Sequence, residues 1–283
     1  MSERIKKSSV TVGGDPELFL VNKEGKAVSA IGKVPGSKET PYKIEHLGQG
    51  FAIQTDCCSV EFNLPPVKFI EHHHDLSATR FKTNVDAMLD YIRSIIPAGL
   101  DISFKTSIEF TDEDLSHPQA REAGCSVDYN AWALCSNEKP DFEATNTRCN
   151  GAHLHFGYDG FNDATSIELI KALDLTLGVT SIVIDPDNER RKLYGKAGCF
   201  RMTSFGIEYR VPSPYYLADE ELVKHVFRAI DKAIDLVNEG KEYSDIEQLD
   251  IQTCINIADV NMAYELIKKY KLESILPIGI LVA

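Results

Sequence analysis

Within residues 199–212, CFRMTSFGIEYRVP, the run Ile207-Glu208-Tyr209-Arg210-Val211 alternates apolar and charged side chains with period two. In a strand, that alternation sends Glu208 and Arg210 to one face and Ile207, Tyr209 and Val211 to the other. A carboxylate and a guanidinium side by side are costly to bury without partners. The pattern recurs in Asp15 and Glu17 of GGDPELFL, Glu61 and Asn63 of CSVEFNL, and His153 and His155 of GAHLHFGY. If these four segments are neighbouring strands, one sheet face gathers acids, imidazoles and an arginine. Such a face suits chemistry and does not suit a core.

The remaining elements follow from local pattern. Residues 9–30 read as a hairpin or meander with a turn at 23–26, and Pro16, which cannot donate to a ladder, marks an edge or a bulge. The turn-rich 31–50 is an excursion. FAIQTD and CSVEFNLPP read as a strand pair ended by Pro65 and Pro66. Apolar residues at helical intervals over 67–97 predict an amphipathic helix or a broken pair. His72, His73 and His74 near its start point in three directions and are read as solvated. A strand over 101–110, an irregular 111–150, a helix over 163–184 and helices at about 219–238 and 256–271 complete the chain.

The 283 residues, 43% hydrophobic and 26% charged, are enough to bury a core without staples. The basic MSERIKKSSVTV leads into no apolar run of signal-peptide length. No other stretch is long enough to cross a bilayer. The expectation is a cytoplasmic protein with a single domain over residues 1–283 and no membrane partner. Seven cysteines, with Cys57 adjacent to Cys58 and no CxxC, speak against a disulfide framework or a zinc ribbon. Most read as small buried hydrophobes. Cys125 is the one to watch as a nucleophile, although no local motif activates it.

A net charge of −13 disfavours bulk nucleic acid. Residues 190–210 nevertheless hold six basic side chains against one acid, Glu208. With Tyr194, Gly195 and Gly198 interleaved, this segment reads as a shaped anion site of polyphosphate size. Hard carboxylate oxygens beside it suit Mg²⁺ or Mn²⁺. No P-loop occurs, and His153-x-His155 alone is a weak zinc signal.

The motifs GGDPELF, GCSVDYNAW, RCNGAHLHFGY, RRKLYGKAGCFR and GIEYRVPSP, in that order over residues 13–214, resemble the phage COOH-NH2 ligase type 2 group known from phiEco32-like phages. That group lies within the glutamine synthetase and glutamate–cysteine ligase superfamily. The resemblance implies an α+β fold, a curved, mainly antiparallel sheet backed by helices. It also implies an enzyme, phage-encoded and working in the host cytoplasm, that uses ATP and Mg²⁺ or Mn²⁺ to join a carboxylate to an amine through an acyl phosphate. By resemblance Asp15, Glu17, Glu61 and Glu208 are the metal ligands, and Arg201 and Arg210 clamp the transferring phosphoryl group. His153 or His155 would contact metal, phosphate or substrate. Arg190, Arg191, Tyr194 and Lys196 would belong to the nucleotide or substrate loop. Relatives commonly carry Glu-x-Glu where this chain has Asp15-Pro16-Glu17, which places more weight on Glu17. Asn63 reads equally as a strand cap, and Asp128 and Asn130 as turn formers or substrate contacts. A guanidino or carboxylate kinase and a non-catalytic binding protein on the same fold are the alternatives.

Overall fold

The computed structural model describes residues 4–121, 128–137, 145–185, 187 and 189–280. Strands β1 (Thr11–Gly14), β2 (Glu17–Asn22) and β3 (Ala27–Val28) come first. β2 and β3 pair across the expected 23–26 turn, with Leu20 opposite Val28. β4 (Tyr42–Lys43), β5 (Ala52–Asp56) and β6 (Ser59–Lys68) follow, and Cys57 and Cys58 make the two-residue turn between β5 and β6. Helix α1 (His74–Ile95) leads to β7 (Leu100–Ser103) and β8 (Ser107–Glu109). The short strands β9 (Tyr129–Asn130), β10 (Cys135–Ser136) and β11 (Thr147–Cys149) precede β12 (Leu154–Gly157). Helix α2 (Asp163–Leu173) passes through a π-turn, Asp174–Gly178, into α3 (Val179–Ile182). Then come α4 (Glu189–Leu193), the hairpin of β13 (Cys199–Thr203) and β14 (Gly206–Tyr209), α5 (Glu220–Asn238), α6 (Asp245–Ile257) and α7 (Val260–Tyr270).

Twelve strands form one sheet whose main path is β10-β9-β13-β14-β12-β1-β6-β2-β3, with β5 on β6, β4 on β5 and β7 on β2. β8 and β11 pair separately. The pairings are antiparallel, and α1, α2 and α5 pack against one another or against the sheet. This is the α+β architecture expected from the sequence.

One face of the sheet builds the core. Ile207, Tyr209, Leu154, Phe156 and Val12 are fully buried with α5 residues Val223, Val226, Phe227, Ile230 and Ile234. Their spacing of two in the strands and three or four in the helix is what lets both elements bury a single side. Each such side chain contributes about 1.5–3 kcal/mol on burial, so this face holds the sheet and leaves the opposite face for polar groups.

Three expectations need correction. Pro65 and Pro66 do not end the strand: β6 runs to Lys68, and the prolines lie where its pairing with β1 shifts register between Val12 and Gly14. At such an irregularity no ladder donor is demanded of them. For Pro16 the edge alternative fails, and an irregularity inside the sheet stands in its place. The proline separates β1 from β2, which pair with successive parts of β6, and its carbonyl accepts from the Phe62 N–H at 3.0 Å. Near the C-terminus the helix expected over 256–271 is α7, and α6, before it, is a helix the sequence reading did not give. A Ser244 capping box starts α6, and Ala258 in the left-handed region ends it.

Candidate active site

Strand register assembles the polar face. Arg201 lies opposite Glu208, Glu208 opposite His155, and His155 opposite Gly13, two residues before Asp15. Across the other half of the sheet Gln54 faces Glu61, and Glu61 faces Glu17. Directly opposed residues share a face. The two rows therefore bring together side chains nearly two hundred positions apart.

In the first group Glu208 is fully buried. Its Oε2 accepts from Arg201 Nε at 2.7 Å, and its Oε1 accepts from Arg210 Nη1. Arg210 also lies 3.5 Å from Asp128 and donates to the Tyr194 hydroxyl. His153 Nδ1 is 3.2 Å from Asp15 Oδ1 and 3.3 Å from Glu208 Oε1, and His155 Nε2 is 3.2 Å from the same Asp15 oxygen. Burial, helped by the Arg210 guanidinium, holds the His153 pKa down, so His153 sits there as a neutral imidazole and not as the cation of an ion pair. At His155 burial also works against charge, but Asp15 and Glu208 prevail and raise its pKa. Asp15 is held well below the usual carboxylate range, because the two imidazoles outweigh the cost of burying it.

The second group is acidic. Glu17, Asp56 and Glu61 each place a carboxylate oxygen within 4.8 Å of the others. Glu17 is anchored at the backbone: its N–H donates to the Gly151 carbonyl, and its Oε2 accepts from the Gly151 N–H, both at 2.8 Å. Gly151 can have no side chain, since a Cβ there would lie 2.3 Å from His153 Nε2. Burial pushes the Glu17 pKa up to about 8, with Asp56 and Asp15 adding to it and the Gly151 N–H opposing. Glu61 is raised well above its ordinary value by burial and then by Asp15, Glu17 and Asp56. Lys38, reaching in from the 31–50 excursion, stands 3.2 Å from Asp56.

The two groups meet at Asp15, whose charge is felt by both Glu17 and Glu61. Among the described residues the buried Glu61 Oε2 has no hydrogen-bond partner, whereas Asp15 Oδ1 and His155 Nε2 lie 3.2 Å from each other. Converging carboxylate oxygens of this kind fit bound cations. Asp15, His155 and Glu208 form one donor set, and Glu17, Asp56 and Glu61 form the other. The oxygen-only set suits Mg²⁺ or Mn²⁺ best. Glu208 could hold a cation only by sharing oxygens that already accept from guanidinium groups.

The structure thus brings together Asp15, Glu17, Glu61, His153, His155, Tyr194, Arg201, Glu208 and Arg210. Arg190 and Arg191 it turns elsewhere. Arg190 is buried and donates to the carbonyls of Asn150, Arg210, Val211 and Pro212, tying the chain beyond β14 to the segment before β12. Gly195, at φ +71°, makes room for it, since a Cβ there would sit 1.8 Å from Arg190 Nη1. Arg191 is buried against Ser181, its pKa brought down to about 10 by burial and by Arg190. The segment expected to be an anion-binding loop is therefore largely an internal brace, and within 190–196 only Lys192 and Lys196 are exposed cations.

Asn130 caps a local turn, accepting from the N–H of Trp132 and of Ala133, whereas Asp128 joins Arg210. Asn63 lines a cavity of about 560 Å³ with Pro41, Lys43, Phe51 and Ala52, two residues along β6 from Glu61. Cys125 lies outside the described residues.

Two residues escaped the sequence reading. Asp56 shares an i, i+2 face with Gln54 in FAIQTD, the same signal used elsewhere in the chain. Asp174 gave no such signal. At the π-turn it accepts from Tyr209 Oη at 2.8 Å, Trp132 Nε1 at 2.6 Å and the Gly198 N–H at 2.5 Å, bracing β14 from behind. Burial outweighs these bonds and raises its pKa to about 7.

Against this geometry the comparisons can be set. Residues 143–273 match the family model of the phage phiEco32-like COOH.NH2 ligase-type 2. The resemblance drawn from the motifs holds over that span, which takes in the His153/His155 and Glu208/Arg210 strands and extends beyond the 13–214 of the motifs. No curated protein matches. Among solved structures the chain is similar to GmaS in complex with ADP, at 13% identity, with 95% of this chain and 66% of that chain covered and a TM-score of 0.44. It is also similar to a bifunctional glutathione synthetase from Pasteurella multocida, at 12% identity, with 95% and 47% covered and a TM-score of 0.44. This chain spans under two thirds of the first and under half of the second.

Proposed function

We propose that the protein is an ATP-dependent carboxylate–amine ligase, with residues 1–283 acting as one catalytic unit in a cytoplasm that supplies ATP and Mg²⁺. The observation that carries this reading is the meeting, on one sheet face, of an acid-only group (Glu17, Asp56, Glu61) with a group in which acid, imidazole and guanidinium alternate (Asp15, His153, His155, Glu208, Arg201, Arg210). The match to a COOH.NH2 ligase family supports it.

Glu17, Asp56 and Glu61 would hold one divalent cation, and Asp15, His155 and Glu208 a second. Bound there, such ions neutralise phosphate oxygens and the charge that develops as a phosphoryl group moves. Arg201 is half-exposed, and its guanidinium pairs with the buried Glu208. It would steady the transferring phosphoryl group, where a planar donor fits best. Arg210, locked between Glu208, Asp128 and Tyr194, keeps that carboxylate oriented. His153, neutral and buried, fixes Asp15. The cavity beside Asn63 has room for an organic substrate.

The reaction read this way makes an acyl phosphate and ADP, and an amine then displaces phosphate. The test is ADP release across a panel of carboxylates with and without amines, in Mg²⁺. ADP formation that requires both partners is expected. ADP formation indifferent to amine would indicate a kinase, and nucleotide and cation affinities untouched by Glu208→Ala would indicate a non-catalytic protein.

A further inference from the structure

Cys57 and Cys58 take no part in the chemistry above, yet their placement is not that of packing residues alone. They form the whole turn between β5 and β6, with Asp56 opposite Ser59 on either side. Cys57 adopts φ 52°, a left-handed conformation that Gly or Asn enters far more easily. Both thiols aim at one acceptor: Cys57 Sγ lies 3.1 Å and Cys58 Sγ 4.0 Å from the Ala120 carbonyl oxygen. The guanidinium of Arg148 reaches the same carbonyl through Nε and Nη2, both at 3.2 Å. Cys58 is fully buried in a small satellite core with Phe19, Phe110, Leu115 and Ala120, whereas Cys57 is half-exposed at its edge.

We infer that Cys57 and Cys58 form a dithiol site for reversible oxidation, in which a hydroperoxide converts the pair to a disulfide between adjacent residues and loosens Asp56. The accessible Cys57, as thiolate, attacks the peroxide O–O bond, giving Cys57 sulfenic acid and releasing hydroxide or alkoxide. The Cys58 sulfur then attacks the Cys57 sulfur, an S–S bond forms, and the hydroxyl leaves with the Cys58 proton as water. Two electrons pass from the sulfurs to the peroxide. Adjacent Cα atoms are about 3.8 Å apart, closer than in ordinary disulfides, so the product is strained and readily reduced by thiols. It behaves as a switch and not as a staple. Oxidation withdraws both S–H groups from Ala120 and re-forms the turn on which Asp56 is carried. The effect on cation binding rests on the reading of Asp56 as a ligand.

The chain offers a clean test, because trypsin releases residues 44–68 as one peptide whose only cysteines are Cys57 and Cys58. The folded protein is exposed to hydrogen peroxide, blocked with N-ethylmaleimide and digested. A 44–68 peptide two hydrogens lighter than the dithiol, unalkylated, restored by dithiothreitol and absent in Cys57→Ser is expected. Two alkylated sulfurs, a Cys57 sulfinic acid beside an alkylated Cys58, or a crosslink to another peptide would each overturn the proposal. Mn²⁺ titrations of the reduced and oxidised protein, followed by electron paramagnetic resonance, should show affinity falling about tenfold on oxidation. Equal affinities overturn the effect on Asp56. No affinity in either state overturns both that effect and the cation reading, while the mass measurement still decides the disulfide.

Discussion

The two polar groups lie side by side on one sheet and are neutralised in opposite ways. Around Glu208 the chain supplies its own cations: Arg201 and Arg210 occupy both oxygens, and His155, its pKa raised, stands 3.2 Å from Asp15. Around Glu61 it supplies acids, with Gln54 opposite, Glu17 and Asp56 beside it, and Lys38 approaching Asp56. Burial is similar in the two places, so the neighbours decide the outcome. Asp15 is held ionised, while Glu17 and Glu61 keep their protons far above the usual carboxylate range. The first group carries guanidinium and imidazole countercharges of its own, and the second gathers acids beside Gln54 and Lys38.

Substitutions should separate the two groups by sign as well as size. Glu208→Ala leaves two guanidinium groups facing each other without their shared acceptor, and should cost about 3–5 kcal/mol in denaturant titrations, with loss of ADP formation. A smaller loss would mean that the first group is not internally balanced.

The next effect is one of pH. Glu17 has a folded pKa of about 8, above its ordinary value. The stability it contributes is complete below the ordinary glutamate range, and it is lost as pH rises through about 8. Melts in chelator should show stability falling over this window with a slope approaching about 1.4 kcal/mol per pH unit. Glu17→Gln should flatten that slope, and a slope unchanged in the variant would remove the contrast between the groups.

Glu61→Gln should have little cost or a gain of about 1 kcal/mol at pH 8 in chelator, because it removes a buried acid without a counter-ion. The same variant should lose the Mn²⁺-induced rise in Tm, so a destabilised protein that still binds Mn²⁺ would contradict the reading. The smallest effect is that of Lys38→Ala. Its partly exposed pair with Asp56 is worth about 0–1 kcal/mol, and the variant should bind Mn²⁺ slightly more tightly because a competing charge is gone. Weaker binding would assign Lys38 to the ligand and not to the acids.

Period-two patterning made much of this site legible. The pairs at 15/17, 61/63, 153/155 and 208/210 did share one sheet face, and Gln54/Asp56 carried the same mark unread. The 190–196 loop misled because charge in a sequence does not say where a long side chain ends. Arg190 is six bonds from its backbone to its terminal nitrogens, long enough to turn inward and cap four carbonyls. Asp174 was invisible because its importance lies wholly in distant donors, Trp132, Gly198 and Tyr209. A similar limit applied to Pro65 and Pro66, read as stops when the partner strand's register made them tolerable.

Sequence alone determined which residues would stand together on a face, since alternation along an extended chain is a local property set by backbone geometry. Tertiary structure decided which acid met which cation. That depends on pairings such as Glu17 with Glu61 and His155 with Glu208, set by how the whole chain buries its apolar face, and a shift of one residue in either would turn the acids toward the core.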